Sequence, residues 1–564
     1  MAVESQAEST ALATPSCAAA WRGISGWTVA AILIFLTILS PILGLVWAAA
    51  SGDLSAWPHL LQTVLPKAAW ITFLLMAGVC LVSIVLGAGT AWLVTMYRFP
   101  GRNVLQWALV IPLAVPTYLA AFCYVEIWDY SGWLQTALRA SFGFQSARDY
   151  WFPDIRSLPG AILIMSFVLY PYVYMTARAS FLAQSGSTLE ASRVLGCTPW
   201  GSFWRVGLPL ARPAIAAGSA LAMMECLNDI GAVEHFGVNT LTISVYDTWL
   251  ERGSLPGAAQ IACVMLIAVI LLFALERWSR GKQAFYQRGG RTGGLKETRL
   301  SGLPGILAMT ACALPVVLGF GTPALFLILN TITFAPAALS GDFLTFASNS
   351  FILAACAGLL ATVCALLLVF ARRLADSTIM RAISVASCIG YAVPGTVLAI
   401  GVLIVLGGAD HFLGFLSERT LGIGTGLLLS GTSGAIVFAY AVRFFAISQG
   451  SQDAGMTRIH RHLDDAARSL GRSPSGLLRD VHIPMLKPAI GAGALLVFVD
   501  SMKELPATIL LRPFNFDTLA THVYTLASLD LFEEAAPAAL SIVLIGLIPV
   551  IVLNTMISAD EELR

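Results

Sequence analysis

Charge is what this chain has least of. Only 12% of its 564 residues are Asp, Glu, Lys or Arg, against roughly 25% in an ordinary soluble domain. The formal net charge is +1, so no electrostatic footprint points to nucleic acid or to an acidic substrate. The ten cysteines contain no Cys-x-x-Cys pair and lie mostly inside apolar runs. They read as small buried residues, with neither a disulfide framework nor a metal site. His-Glu-x-x-His and a nucleophile elbow are also missing, which removes the usual signatures of an intramembrane enzyme. One Gly-rich stretch, GGRTGGLKET at 289–298, lacks the Gly-Lys-Ser/Thr run of a phosphate loop, so nucleotide binding there is rejected.

What the chain does have is apolar length. It is 57% hydrophobic with a mean hydropathy of +0.79. A helix needs about 20 apolar residues to cross a bilayer. Twelve segments reach that length: 26–49, 68–96, 104–126, 158–181, 209–232, 257–276, 303–330, 346–371, 382–408, 420–446, 487–510 and 536–557. The first has no short apolar core with a small-residue cleavage site, so it reads as a retained helix. Lys and Arg concentrate in the even-numbered connections, including a basic stretch from Arg443 to Lys487. That bias predicts both termini on the cytoplasmic side. The expected fold is an all-α polytopic membrane protein of twelve helices, in two homologous six-helix halves related by a parallel repeat.

The repeat is explicit. EASRVLGCTPWGSFWRVGLPLARPAI (190–215) recurs 275 residues later as DAARSLGRSPSGLLRDVHIPMLKPAI (465–490), with eleven of 26 positions identical. Val115-Pro116 answers Val393-Pro394, and Leu241-Thr242 answers Leu519-Ala520. Each long copy spells helix, break, helix. Ser187 to Glu190 fits a capping box. Gly196 and Gly471 sit where a left-handed terminal residue belongs. Thr198-Pro199 and Ser473-Pro474 supply an N-cap and a proline for the next helix. The division that follows is a first half 1–276 with the repeated loop at 187–209, a Gly-rich basic linker 277–300, and a second half 301–564 with its loop at 457–484.

These residues resemble a family. Glu190-Ala191-Ser192 and Asp465-Ala466-Ala467, each followed by a glycine and a Leu-Pro or Ile-Pro pair, are similar to the coupling loop of ABC importer permeases. Ser192 and Asp465 depart from the usual Ala and Glu. The resemblance implies that Glu190, Ala191, Gly196, Pro209, Asp465, Ala466, Gly471 and Pro484 dock two separate ATP-binding subunits. It also implies a periplasmic substrate-binding protein as partner, a bacterial inner-membrane location and no cofactor. MECLNDIGAVEHFGVNTLTISVYDTW (224–249) and MKELPATILLRPFNFDTLATHVY (502–524) are similar to fused ferric-iron permeases, which makes ferric iron the expected cargo. Permeases for thiamine or phosphonate share the architecture, and a secondary transporter would leave the duplicated loop unexplained.

Carboxylates inside spans five and eleven form the second candidate site. Glu225 and Asp229 are spaced i, i+4, as are Asp500 and Glu504, with Lys503 beside them. Such spacing puts each pair on one helix face, at mid-depth or toward the outer side. Buried carboxylates there either line a path that attracts a cation or form structural pairs with Lys503. Asp229 and Glu504 could also stand at the outer mouth. His460 and His462 read as solvated. His235, His411 and His522 fall in outer connections.

Overall fold

The computed structural model describes residues 26–52, 57–184, 192, 194–280, 298–334, 341–424 and 426–562. Their regular structure is helical, apart from a parallel pairing of Tyr97–Arg98 with Thr298–Arg299. The first half carries α1 (Gly26–Ser51), α2 (Leu65–Met96), α3 (Thr117–Trp128), α4 (Leu158–Ala183), α5 (Leu208–Asn228) and α6 (Leu255–Arg280). The second carries α7 (Leu303–Val316), α8 (Gly341–Leu374), α9 (Gly395–Leu421), α10 (Ser433–Thr457), α11 (Ile483–Met502) and α12 (Ala536–Glu562). Ten helices among the described residues are long and apolar enough to cross a membrane, eleven if the bent pair Arg102–Ala114 and Thr117–Phe142 counts as one span. The twelfth expected span is α10. At 25 residues it measures about 37 Å, but its buried Arg443, Gln449 and Gln452 lower its hydropathy.

Two expected spans are broken rather than straight. Pro116 and Pro394 hold φ/ψ of −56/142° and −55/143°, each at the N-cap of the helix that follows. Proline cannot donate to the helix ladder and pushes the preceding residue out of the α region, so the duplicated Val-Pro marks the same break in both halves. The segment expected at 382–408 therefore splits, and α9 runs on to Leu421. Asp410 on α9 accepts backbone N–H groups of Leu428, Leu429 and Ser430 at 2.8–3.1 Å, which folds the returning chain against the helix. The next span consequently begins at Ser433, well past the expected 420. At the linker, α6 continues four residues beyond the expected boundary, and Thr298–Arg299 pairs back onto the end of α2.

Prolines also shape the helices without ending them. Four π-helical turns occur among the described residues: Leu60–Val64, Phe203–Gly207, Val317–Gly321 and Leu478–His482. Each ends two residues before a proline: Pro66, Pro209, Pro323 and Pro484. The missing N–H and the ring's clash with the preceding turn are absorbed by one widened turn. Pro209 and Pro484 thus lie within continuous helices, where the sequence had marked a fresh start.

The halves interlock through their first helices. α1 packs on α8 and α9 of the other half as well as on α6, while α7 lies against α2, Arg102–Ala108 and, through its π turn, α4. Within each half α2/α4/α5 and α8/α10/α11 form matching bundles. One hydrogen bond fixes their register. Leu241 N donates to Thr72 Oγ1 at 3.0 Å, and Leu519 N donates to Ser350 Oγ at 2.8 Å.

Candidate functional site

The middle of the bundle holds a cavity of about 100 Å³. All four expected carboxylates line it, together with Arg443 and Lys503. The residues converge because α5 and α11 stop there. α5 ends at Asn228 and a short helix restarts at Gly231–His235. α11 ends at Met502 and Pro506–Leu511 follows. The expected spans 209–232 and 487–510 are therefore each interrupted near their ends.

The interruption gives two carboxylates a structural task. A helix start leaves backbone N–H groups without partners, and a carboxylate beside it is favoured by both hydrogen bonding and the helix dipole. Asp229 Oδ1 accepts from Ala232 N at 2.8 Å, and Glu504 Oε1 accepts from Ala507 N at 3.1 Å. Both residues are 6% exposed. The caps replace the simple shared helix face expected from i, i+4 spacing.

The two caps are completed differently. Thr117 Oγ1 donates to Asp229 Oδ2. In the second half Arg443 Nη1 lies 3.1 Å from Glu504 Oε1. Gly395 stands where the first half has Thr117, and a Cβ there would collide with the Arg443 guanidinium and the Glu504 carboxylate. Asn228 of the first half crosses over. Its Oδ1 accepts from Gly395 N at 2.6 Å and from Arg443 Nη1 at 3.0 Å. Asp500 pairs with Lys503 at 2.9 Å. Glu225 makes no ion pair among the described residues and lies beside Tyr391 on the cavity wall.

Arg443 is the residue that sequence reasoning misplaced. It had been grouped with the basic interfacial stretch, yet it is 5% exposed in the middle of α10. Its setting, AIVFAYAVRFFAI, was the available signal: a lone cation with apolar residues on both sides belongs inside a span and needs a partner.

The repeated turns lie at the other ends of α5 and α11. Gly196 and Gly471 adopt φ of +87° and +78°. Thr198 Oγ1 accepts from Gly201 N at 3.0 Å, and Ser473 Oγ accepts from Gly476 N at 3.2 Å. Pro209 and Pro484 are the second residues of α5 and α11. Asp465 and Ala466 lie on the exposed face of the helix Arg461–Ser469, whose Asp464 and Ala467 face inward. Glu190 and Ala191 lie outside the described residues, as does the expected capping box. Leu195 and Leu470, identical positions of the repeat, are 84% and 83% exposed. His460 and His462 are exposed, as expected. Sequence reasoning passed over His482, which is fully buried at the start of α11.

Among the described residues no three His, Cys, Asp or Glu are gathered so as to hold a metal ion. The cavity presents instead four carboxylates and two cations, most of them paired.

Comparison with known proteins bears on the family. Residues 83–282 match the family described as binding-protein-dependent transport system inner membrane component. The chain is 28% identical over 534 residues to the Fe(3+)-transport system permease protein FbpB 2 of Haemophilus influenzae, covering 93% of this chain and 97% of that one. It is 29% identical over 281 residues to the sulfate transport system permease protein CysT of Synechococcus elongatus, covering 48% of this chain and 98% of that protein. The Escherichia coli protein of the same name is 29% identical over 252 residues, 43% of this chain and 88% of its own length.

Proposed function

Taking as premise that the chain is an ABC importer permease of the fused two-half type, set in the inner membrane by multiple spans, we propose that it carries ferric iron from a periplasmic binding protein to the cytoplasm. The observation that carries the cargo is the alignment along nearly its whole length with a relative named for Fe(3+) transport. The duplicated turns are the docking sites of two ATP-binding subunits. Glu190, Ala191, Asp465 and Ala466 offer the docking face, Gly196 and Gly471 set its angle, and Pro209 and Pro484 mark the helices that follow. Both termini lie in the cytoplasm. The two halves are 1–276 and 301–564, joined by the basic linker.

The mechanism follows from what is duplicated. Each docking turn is continuous with the helix, α5 or α11, whose far end bears the cavity carboxylates. Closure of an ATPase dimer moves both turns together and tilts both helices, which reorients the cavity between the membrane faces. Glu225, Asp229, Asp500 and Glu504 bias the cavity toward a cation. Of these, Glu225 has the freest carboxylate, because the other three are committed to caps or cations.

A second reading has its own support. The sulfate permeases match about half of this chain, and Arg443 and Lys503 could serve an anion. The purified permease with its ATP-binding subunits, reconstituted in liposomes, separates the two. Ferric-loaded binding protein should stimulate ATP hydrolysis and deliver iron to the lumen. Stimulation by sulfate, thiamine or phosphonate with its binding protein, and none by ferric iron, would overturn the cargo. ATPase subunits that never co-purify would overturn the permease role.

A further inference from the structure

The wall of the central cavity has a sealed side and an open side. Asn228, Asp229, Glu504 and Tyr118 are 4–8% exposed. Glu225, Asp500, Tyr172, Tyr391 and Lys503 line the same cavity but are only half-buried. The part a solute can reach is therefore walled by two carboxylates, two phenols and one ammonium. They converge from four elements. Tyr172 follows Pro171 inside α4, and Tyr391 sits on the short helix Ile389–Ala392, just before the Val393-Pro394 break. Glu225 and Asp500 lie in the last turns of α5 and α11. The Tyr391 hydroxyl donates to the Glu225 carboxylate, and Tyr172 lies within electrostatic reach of Glu225, Asp500 and Tyr391. On the sealed side the Tyr118 hydroxyl has no hydrogen-bond partner. A buried hydroxyl left so is costly and marks a place where a ligand completes the bonding.

Charge selects the sign of the occupant. With every group ionised, four carboxylates against Arg443 and Lys503 leave the cavity at −2. A trivalent cation brings that to +1, whereas a doubly charged oxyanion would bring it to −4. Excess charge of one sign is costly where the dielectric is low, so the balance favours the cation. Carboxylates alone suit any hard divalent ion. The phenols narrow the choice. A free tyrosine loses its proton only near pH 10, so a strongly polarising cation is needed to displace it near neutrality.

We infer that Tyr391, Tyr172, Glu225 and Asp500 form the transient oxygen-donor site that ferric iron occupies as it crosses, with Tyr391 binding as phenolate. As the ion arrives, the Tyr391 O–H bond breaks and its electron pair goes to the iron. The proton passes to Glu225, which already accepts that hydrogen bond. Departure of the ion reverses both steps, and the iron stays ferric throughout. Tyr172 and Asp500 supply further oxygens. Lys503, paired with Asp500 at 2.9 Å, holds that carboxylate between passages. Tyr172 and Glu225 belong to the first half, Tyr391 and Asp500 to the second. Reorientation of the halves therefore separates the donors and releases the ion. The inference rests on the ferric reading.

The test titrates the permease with its ATP-binding subunits, nucleotide-free and ATP-bound, with ferric ion supplied as its nitrilotriacetate complex. Iron should produce a visible phenolate-to-metal charge-transfer band. Gallium(III), equal in charge but with a filled d shell, should compete for the site without a band. Tyr391→Phe should abolish the band. Tyr391→Phe and Tyr172→Phe should each lower iron delivered per ATP in liposomes by about tenfold, the low end for a perturbed metal site. Unfolding temperatures should stay near wild type, because both rings remain. Tyr170→Phe, on α4 but outside the cavity lining, should change neither band nor delivery. A wild-type complex with no band in either state would overturn the inference. So would wild-type iron delivery by Tyr391→Phe, and that result would leave the cargo assignment standing. A wild-type complex that delivers no iron from the loaded binding protein would instead refute the ferric reading on which the site rests.

Discussion

Arg443 Nη1 lies 3.1 Å from Glu504 Oε1, with side chains only 7% and 5% exposed. This pair decides which cavity carboxylates are structural. Removing one partner of a buried ion pair strands the other charge at a cost of about 3–5 kcal/mol, whereas replacing both by apolar groups is far milder. Glu504→Gln should therefore lower the unfolding temperature of the purified protein more than the double variant Arg443→Met/Glu504→Met does. A single Glu504→Gln variant as stable as wild type would show that the pair contributes nothing to the fold.

Glu225 should behave in the opposite way. It makes no ion pair among the described residues, so Glu225→Gln removes field without stranding a cation. Its carboxylate is hydrogen-bonded to Tyr391, a partner that a glutamine amide can also serve, so thermal stability should stay within about 1 kcal/mol of wild type. Iron uptake per folded molecule should fall about tenfold, the low end of electrostatic focusing in a lined cleft. Unchanged uptake would remove Glu225 from the path.

Asp500→Asn lies between these extremes. Its pair with Lys503 is 25% and 30% exposed, so loss of the pair should cost about 1 kcal/mol or less. Melting curves of the three single variants should rank Glu504→Gln as the most damaging, then Asp500→Asn, then Glu225→Gln.

Gly196 and Gly471 have no heavy atom within 4 Å of an added Cβ, so their restriction is backbone conformation, not space. A left-handed residue with a side chain costs about 1–2 kcal/mol, least for Asn. Gly471→Asn should retain most uptake, while Gly471→Val should lose most of it with the protein still inserted. Equal uptake by the two would show that the positive φ is not needed for docking.

Acid should loosen the second docking helix first. Burial alone would raise the Asp464 carboxyl, but hydrogen bonds from Arg373 and His482 outweigh it and hold the group below its ordinary value. A carboxyl depressed in the folded state stabilises above its unfolded pKa, and that stability is lost as pH falls through the folded value. Wild type should thus be more stable than Asp464→Asn at neutral pH. The gap in unfolding temperature should narrow below about pH 4, the range of a free Asp. A gap independent of pH would mean that Asp464 acts by shape alone.

What the sequence by itself determined is everything set within a few residues. Apolar length announced a polytopic helical chain, although of the twelve expected spans ten among the described residues, or eleven with the bent pair, are long and apolar enough to cross a membrane. Glycine and Ser/Thr-Pro spacing announced the left-handed turns at 196 and 471 and the caps at Thr198 and Ser473. These follow from hydropathy summed along a helix and from backbone restrictions, neither of which needs a distant partner. Prolines were legible as perturbations but not in kind: Pro116 and Pro394 break a span, while Pro209 and Pro484 only widen a turn. The outcome depends on whether the freed carbonyls find new partners. Tertiary structure alone decided the charges. Arg443 meets Glu504 across 61 residues, Thr117 meets Asp229 across 112, and Arg373 meets Asp464 across 91. A charge in an apolar run reveals that a partner must exist, because leaving it bare costs too much. Which partner it finds, and whether a carboxylate becomes a cap, a pair or a free lining group, depends on the helix packing that brings the two together.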